Sequence, residues 1–303
     1  MEKFGRTYEI IFNIGVLEQV GAYDKAKIVE TITVSYPLTT NFAISRNTYS
    51  QVNTAFLSIF GLAQGTRDKL YKDRYDAITY IEVEVRAGYQ DEMSLIFKGT
   101  VKECQSYKDS GATEYRTDVE AWDGGLAVYK GEDNNSFSLG TSKSTILETL
   151  CQNMPNLKVG AISPDYDYET TLRPAIFSKK TYDDLMMLTD GNMYIDFERA
   201  YFLLENDVVD GNIALLNLGN TLLGSPKRKD GVITIETIFE PRVMVGQWIE
   251  IQSSSTPYLN GTYKILGVNH DGVISGAKGA SMITSIDLFI GTQVFRRVKK
   301  LNV

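Results

Sequence analysis

The amino-acid sequence predicts a mainly β (α+β) protein, with a β-barrel unit on either side of a small α+β unit. Three observations carry that prediction. Apolar residues alternate with polar ones over many short stretches, which is the period of half-buried strands. Glycines and polar clusters interrupt those stretches at short intervals, as in barrels and sandwiches. Apart from a short turn at Thr66 to Lys72, helical spacing falls in the centre of the 303-residue chain. The aromatic content, 18 Tyr, 13 Phe and 2 Trp, also suits strands.

Through residues 1–130 the pattern is strand and turn. Tyr80 to Arg86 puts Ile81, Val83 and Val85 on one face and Glu82, Glu84 and Arg86 on the other. Ala55, Leu57 and Ile59 alternate with Thr54, Phe56 and Ser58, so Thr54–Phe60 is a strand rather than a helix. Thr7–Phe12, Thr31–Ser35, Ser94–Val101 and Thr117–Trp122 read the same way. Thr66 to Lys72 predicts a short helical turn capped by Thr66. Gly88, Gly99, Gly111 and the Gly124-Gly125 pair supply the breaks.

Residues 131–212 predict the α+β unit. The polar run from Lys130 to Gly140 reads as a boundary loop. Ser144 to Gln152 then places Ile146, Leu147, Leu150 and Cys151 on one helical face. Thr181-Tyr-Asp-Asp184 fits a capping box for a second helix, which carries Leu185, Met186 and Leu188 and ends at Asp190-Gly191-Asn192. Met193–Phe197 and Tyr201–Glu205 predict a hairpin around Arg199-Ala200. Over residues 213–303 strands return at Gly231–Phe239, Trp248–Gln252, Thr262–Val268 and Ser285–Ile290, with Pro241 and Gly246 between the first two. No repeat is visible in the sequence, so likeness between the outer units would be structural only.

Composition narrows the chemistry. Lys and Arg number 31 against 38 Asp and Glu, a net charge of −7 that disfavours broad nucleic-acid binding. No apolar run approaches the roughly 18 residues of a membrane span. The start, Met-Glu-Lys-Phe-Gly-Arg, lacks the apolar core of a signal peptide. Synthesis in a cytoplasm, with no membrane partner, is the expectation. Cys104 and Cys151 form no CxxC pair, and Cys151 reads as a packed thiol. A single histidine, His270, removes HExxH helices and paired-histidine metal sites. Lying before Asp271-Gly272, it reads as a turn or edge histidine bonded to backbone, and a catalytic cysteine would need it as its base.

Other chemical motifs are equally weak. Phosphate loops and GxSxG elbows are absent, and Gly272, Gly276 and Gly279 have the wrong spacing for either. Ser275-Gly-Ala-Lys278 matches SxxK only formally, within a Gly-rich loop. Asp165-Tyr-Asp167-Tyr-Glu169 alternates like a calcium loop, but Thr170 stands where Gly is needed and Ile176 where the bidentate Glu belongs. It reads as a solvated acidic loop. Lys227-Arg228-Lys229, Arg296-Arg297 and Lys299-Lys300 read as solvated ends or as contacts for an acidic partner surface. No catalytic, cofactor-binding or metal residue is assigned, and no cofactor is expected.

Several segments together give the chain a family likeness. Ile44-Ser45-Arg46 is followed by VNTAFLSIFGL and GTRDKLYKD, then AGYQDE, IFKGTV and TDVEAWDGG, which ends at Trp122-Asp123-Gly124. Later come LLGSPKRKDGVITIETIFEPRVMVGQWIEI and NGTYKILGVNHDG. In order and spacing these segments resemble the bacteriophage baseplate (tail) hub family, trimeric proteins that join a tail tube to a central spike. The resemblance is weakest between about residues 130 and 175.

The resemblance implies two tail-tube-like β-barrel domains, 1–130 and 213–303, around an α+β insert at 131–212, so that three chains present a pseudo-sixfold ring. It makes Gly224, Pro226, Pro241, Gly246, Gly261 and His270 scaffold positions. It also implies a homotrimeric, non-enzymatic virion protein, made in the host cytoplasm. Its partners would be the tail tube protein, the central spike protein and other baseplate proteins. DNA would pass through the lumen without specific binding, and an acidic lumen would repel phosphate. The hub of a tailocin or another contractile injection device is the alternative, and a β-barrel cell-wall hydrolase a distant one, since no lytic domain is recognisable.

Overall fold

The computed structural model describes residues 5–20, 23–49, 52–76, 78–90, 92–210, 214–217, 223–224, 226–229, 231–252, 257–276, 281–290 and 295–300. Lys278, Gly279 and Ser225 lie outside the described residues, as does the 212/213 boundary. The first segment holds β1 (Arg6–Val20), β2 (Tyr23–Ser35), β3 (Thr40–Asn47), β4 (Thr54–Phe60), α1 (Gln64–Leu70), β5 (Thr79–Tyr89), β6 (Glu92–Tyr107) and β7 (Arg116–Trp122). The middle holds α2 (Gly125–Lys130), β8 (Glu132–Phe137), α3 (Lys143–Gln152), β9 (Lys158–Ile162), β10 (Ala175–Lys180), α4 (Thr181–Leu188), β11 (Met193–Ile195), β12 (Arg199–Phe202) and β13 (Asp207–Val209). The last holds β14 (Ala214–Asn217), β15 (Lys227–Lys229), β16 (Val232–Ile238), β17 (Trp248–Gln252), β18 (Gly261–Ile274), β19 (Met282–Phe289) and β20 (Arg296–Val298).

The fold is mainly β, as the sequence predicts. One 13-stranded sheet runs β2-β1-β5-β6-β7-β4-β3-β18-β19-β16-β15, with β17 on β18 and β14 on β17. It therefore passes from the first segment into the last. The crossing is made by β18, whose Gly267–Ile274 half pairs antiparallel with β3 while its Gly261–Lys264 end pairs with β17. A bulge between Ile265 and Gly267 separates the two runs and lets the strand serve both.

The sheet curls back on itself. Tyr8 of β1 packs edge-on against Phe42 of β3, ring centroids 5.4 Å apart, although four strands lie between them in the sheet. The Tyr8 hydroxyl donates to the Leu38 carbonyl at 2.8 Å and accepts from Thr40 Oγ1 at 2.8 Å, which satisfies it inside the curl. The alternating residues of β4 and β5 line this interior, where Leu57, Ile59, Val83 and Val85 are buried. A second core gathers Ile233, Ile235, Ile249, Ile251, Val268 and Leu288. A third packs Leu147, Leu150, Cys151, Leu185 and Phe202 between the helices and the β9-β12-β11 sheet.

Several local expectations are corrected. Helix α1 begins at Gln64 after Ala63, with no side-chain cap, so Thr66 lies inside it. In the run read as a boundary loop, Lys130 ends α2, which the sequence reading missed, and Glu132–Phe137 is strand β8, paired with β10. Its first two inward positions, Asp133 and Asn135, are polar: Asp133 is buried and accepts from Asn135 and Asn153. A hydrophobic period of two was therefore absent. Thr181 is the first helical residue of α4 and caps nothing, since the N-cap is Lys180. The β11–β12 hairpin turns at Asp196-Phe197-Glu198, which leaves Arg199 and Ala200 on a strand. Lys227–Lys229 is an exposed edge strand rather than loop.

Gly246 shows how closely the last segment meets the middle one. It has φ +75°, and a Cβ there would overlap the hydroxyl of Tyr194, itself buried and stacked on Tyr201 at 4.9 Å. Gly246→Ala combines left-handed strain with overpacking and is expected to destabilise the chain by about 2–4 kcal/mol. A fall in urea midpoint at unchanged m-value measures it.

Candidate functional site

The most heavily built place in the molecule is a buried polar joint between the large sheet and the α+β unit. Three sheet-side residues meet the hairpin turn Asp196–Glu198. Arg46, inward-facing on β3, is 1% exposed and is the largest fully buried side chain among the described residues. Its Nε donates to Asp196 Oδ1 at 2.9 Å and its Nη2 to Oδ2 at 3.3 Å, a bidentate pair. Nη1 reaches the Ile96 carbonyl at 3.3 Å, and the guanidinium lies 4.3 Å from the Phe197 ring centre.

Asp123, just after β7, receives the turn itself. Its Oδ2 accepts from the Phe197 amide at 2.6 Å and its Oδ1 from the Glu198 amide at 2.8 Å. Both turn residues have φ +56°, a conformation that two amide bonds to one carboxylate help to hold. Asn53 Nδ2 donates to the Ile195 carbonyl at 2.8 Å, and its Oδ1 accepts from the Asn47 amide at 2.8 Å. Burial, then the neighbouring Asp196 charge, pushes the Asp123 carboxyl well up, against the pull of the two amides. Burial also raises Asp196, opposed by Arg46.

Beside the turn, Lys98 lies 3.2 Å from Glu198, 3.5 Å from Glu82 and 3.1 Å from Glu84. Burial disfavours the ammonium, but the three carboxylates outweigh it and hold Lys98 above its ordinary value. One cation cannot neutralise three anions. The most buried of them, Glu198, is pushed up to about 7, by burial first and by Glu82 next.

A second tie holds the opposite side of the unit. Arg296 donates to Asp207 at 2.6 Å, Asp165 at 2.5 Å and Ser163 at 2.9 Å. Lys264 of β18 donates to the carbonyls of Leu204 and Glu205 at 3.1 and 3.0 Å, and burial lowers it to about 8.

The residues weighed for chemistry fall elsewhere. His270 is not in a turn but midway along β18, fully buried, its Nδ1 3.0 Å from Thr284 Oγ1. Burial, then Arg46, lowers it to about 3, which keeps the imidazole neutral. Cys104 and Cys151 are buried thiols pushed up to about 12 by burial, and they lie in separate cores. Ser275 Oγ is hydrogen-bonded to Thr39 Oγ1 at 2.6 Å. The acidic run is less solvated than expected, because Tyr166 is buried and Asp165 and Glu169 pair with Arg296 and Lys143. Arg296 is thus an internal tie rather than a solvated end. Among the described residues no group of three His, Cys, Asp or Glu could hold a metal, and no helix is long and apolar enough to cross a membrane.

Sequence reasoning names Arg46, Asn53 and Asp123 only as parts of longer segments, and it passes over Asp196 as a functional position. The available signal was a lone carboxylate inside the apolar run Met193-Tyr-Ile-Asp-Phe197.

The fold is shared with solved tail proteins. The 43 kDa tail protein of prophage MuSo2 from Shewanella oneidensis superposes with TM-score 0.57 at 11% identity, over 93% of this chain and 98% of that one. The E. coli c3393 protein, a type VI secretion system component similar in structure to T4 tail proteins gp27 and gp5, gives 0.52 at 10% identity over 85% and 74%. A chain of the Francisella PdpA-VgrG complex gives 0.57 at 9% identity over 95% and 59%. At such identities the likeness is one of fold. No curated protein matches by sequence. The chain belongs to the baseplate hub gp41 family, whose profile matches residues 20–273. Its role is structural, within a phage tail or baseplate.

Two predictions follow from the joint. Arg46→Met strands Asp196 in the interior and is expected to cost about 3–5 kcal/mol, whereas Arg46→Met with Asp196→Leu recovers much of that loss. Chemical denaturation of the single and double variants measures both. The second concerns pH. Glu198 is raised in the folded chain, so its proton stabilises the fold at low pH, and this stabilisation is lost as pH rises from the ordinary glutamate value through about 7. Between pH 5 and pH 8 the parent should lose about 2.5 kcal/mol more unfolding free energy than Glu198→Gln, in which this position no longer titrates.

Proposed function

We propose that the chain is the homotrimeric hub of a phage baseplate, joining the tail tube to the central spike and lining the channel for DNA, with no catalytic step. In this reading residues 1–130 and 213–303 are the two tube-like β-barrels, and 131–212 is the α+β domain between them. One observation carries it: β3 and β18 hydrogen-bond residue by residue from Asn47/Gly267 to Thr40/Ile274, making one wall of both outer segments. Such a wall presents two similar sectors per chain at a fixed angle, which is what three chains need to match a sixfold tube. Its partners are further copies, the tube protein, the spike protein and other baseplate proteins, and its place is the virion. An acidic chain suits a lumen through which DNA slides, since carboxylates repel phosphate. The fold shared with a type VI secretion component makes the hub of a tailocin or other contractile injection device the second reading.

Light scattering after size exclusion, over a range of concentrations, tests the proposal. Three copies of a 33.9 kDa chain give a species of about 100 kDa. A monomer at every concentration, also when co-expressed with the spike protein, would overturn the trimer.

A further inference from the structure

The joint leaves a groove beside it unused. A cavity of about 590 Å³ opens between the β5 approach, β6, β7 and α2. Its floor is apolar, built from Val101, Trp122, Leu126 and Tyr129, with Trp122 stacked on Tyr129 at 5.8 Å. Lys72, Arg74, Lys102 and Lys130 line its walls, together with the carboxylate of Asp76. The cations are held in place from behind. Arg74 pairs with Glu103 and Glu120 at 3.2 and 3.1 Å, and Lys102 with Glu120 at 3.2 Å while lying 3.5 Å over the Trp122 ring. Tyr75, at the mouth, is 90% exposed.

The complement of such a groove is an acidic segment with projecting apolar side chains. The same chain displays one. From Asp165 to Leu172 it carries Asp165, Asp167 and Glu169, while Tyr168 and Leu172 are 85% and 92% exposed. Asp165 and Glu169 are already paired at home, which fixes the segment and leaves exposed Asp167, Tyr168 and Leu172 to reach outward.

We propose that the groove of one copy receives the Asp165–Leu172 segment of a second copy of this chain, with Asp167 facing Arg74 and Tyr168 or Leu172 entering over Trp122 and Tyr129. The contact joins two different surfaces, so repeating it builds a ring where the rotation closes, not a two-fold pair. The inference rests on the homotrimer reading and specifies which surfaces meet.

Charge exchange tests it on the full chain. Arg74→Glu alone and Asp167→Arg alone should each raise the concentration at which the assembly dissociates by about tenfold, by like-charge opposition across the contact. The two together should restore assembly to within about threefold of the parent, because the pair is re-formed with its signs exchanged. Thermal midpoints check that each variant is folded. A trimer whose mass neither substitution affects, or a double variant no better than the singles, overturns this contact and leaves the trimer standing. A parent chain that stays monomeric overturns both. Disulfide trapping gives an independent readout, since both natural cysteines are buried. Mixed and oxidised, Tyr75→Cys and Tyr168→Cys chains should form a covalent dimer. A dimer band of equal strength from either variant alone counts against the proposal.

Discussion

The interior charge at Arg46 constrains everything around it. A guanidinium with 1% exposure is tolerated only if every side of it is answered. Asp196 answers two nitrogens and a carbonyl of β6 the third, while the Phe197 ring lies beside the plane. Those partners come from the large sheet and from the hairpin of the α+β unit, so the charge is satisfied only when the two bodies sit in one orientation. An apolar seam of the same area would be at least as stable, yet it could slide. Here stability is exchanged for a defined angle between the two bodies.

This constraint also explains the local geometry. Phe197 and Glu198 take left-handed conformations, and that turn persists because Asp123 accepts from both amides. Asp123 is in place because β7 ends there, its amide tied to the Asn53 carbonyl at 2.9 Å. His270, on the strand paired with β3, is kept neutral in part by the same guanidinium. One buried network thus ties together a turn and the strand ends on either side of it.

How much of this the sequence shows depends on the period of its apolar residues. β4 and β5 were legible because Leu57, Ile59, Val83 and Val85 alternate against polar neighbours, and α3 because Ile146, Leu147, Leu150 and Cys151 share a face. β8 was hidden because an inward residue is Asp133, held by Asn135 of the same strand and by Asn153 of α3's C-cap rather than by apolar packing. The full length of β18 was hidden too. His270 and Asp271-Gly272 look like a turn locally, and only pairing with β3 and β19 keeps the strand extended through them. The joint was half legible: Arg46 and Asp123 stand in segments that mark the family, but no local rule connects them to Asp196, which is 150 residues from Arg46.

Placing the crossing in a strand rather than a linker has a mechanical consequence. Two segments joined only by a loop would rotate against one another. Along β3 and β18 eight residue pairs are in register, and turning one segment against the other would break several of their hydrogen bonds at once. The middle unit is fixed separately, by Arg46 on one side and by Arg296 and Lys264 on the other. The cores cross the segment bounds as well, with Phe239, Ile274 and Met282 in the first core and Tyr194 and Tyr201 in the second, so no segment has an independent orientation. Such a chain can place its outer surfaces accurately while those surfaces remain free to vary, which is consistent with a fold retained at 9–11% identity in the proteins that share it.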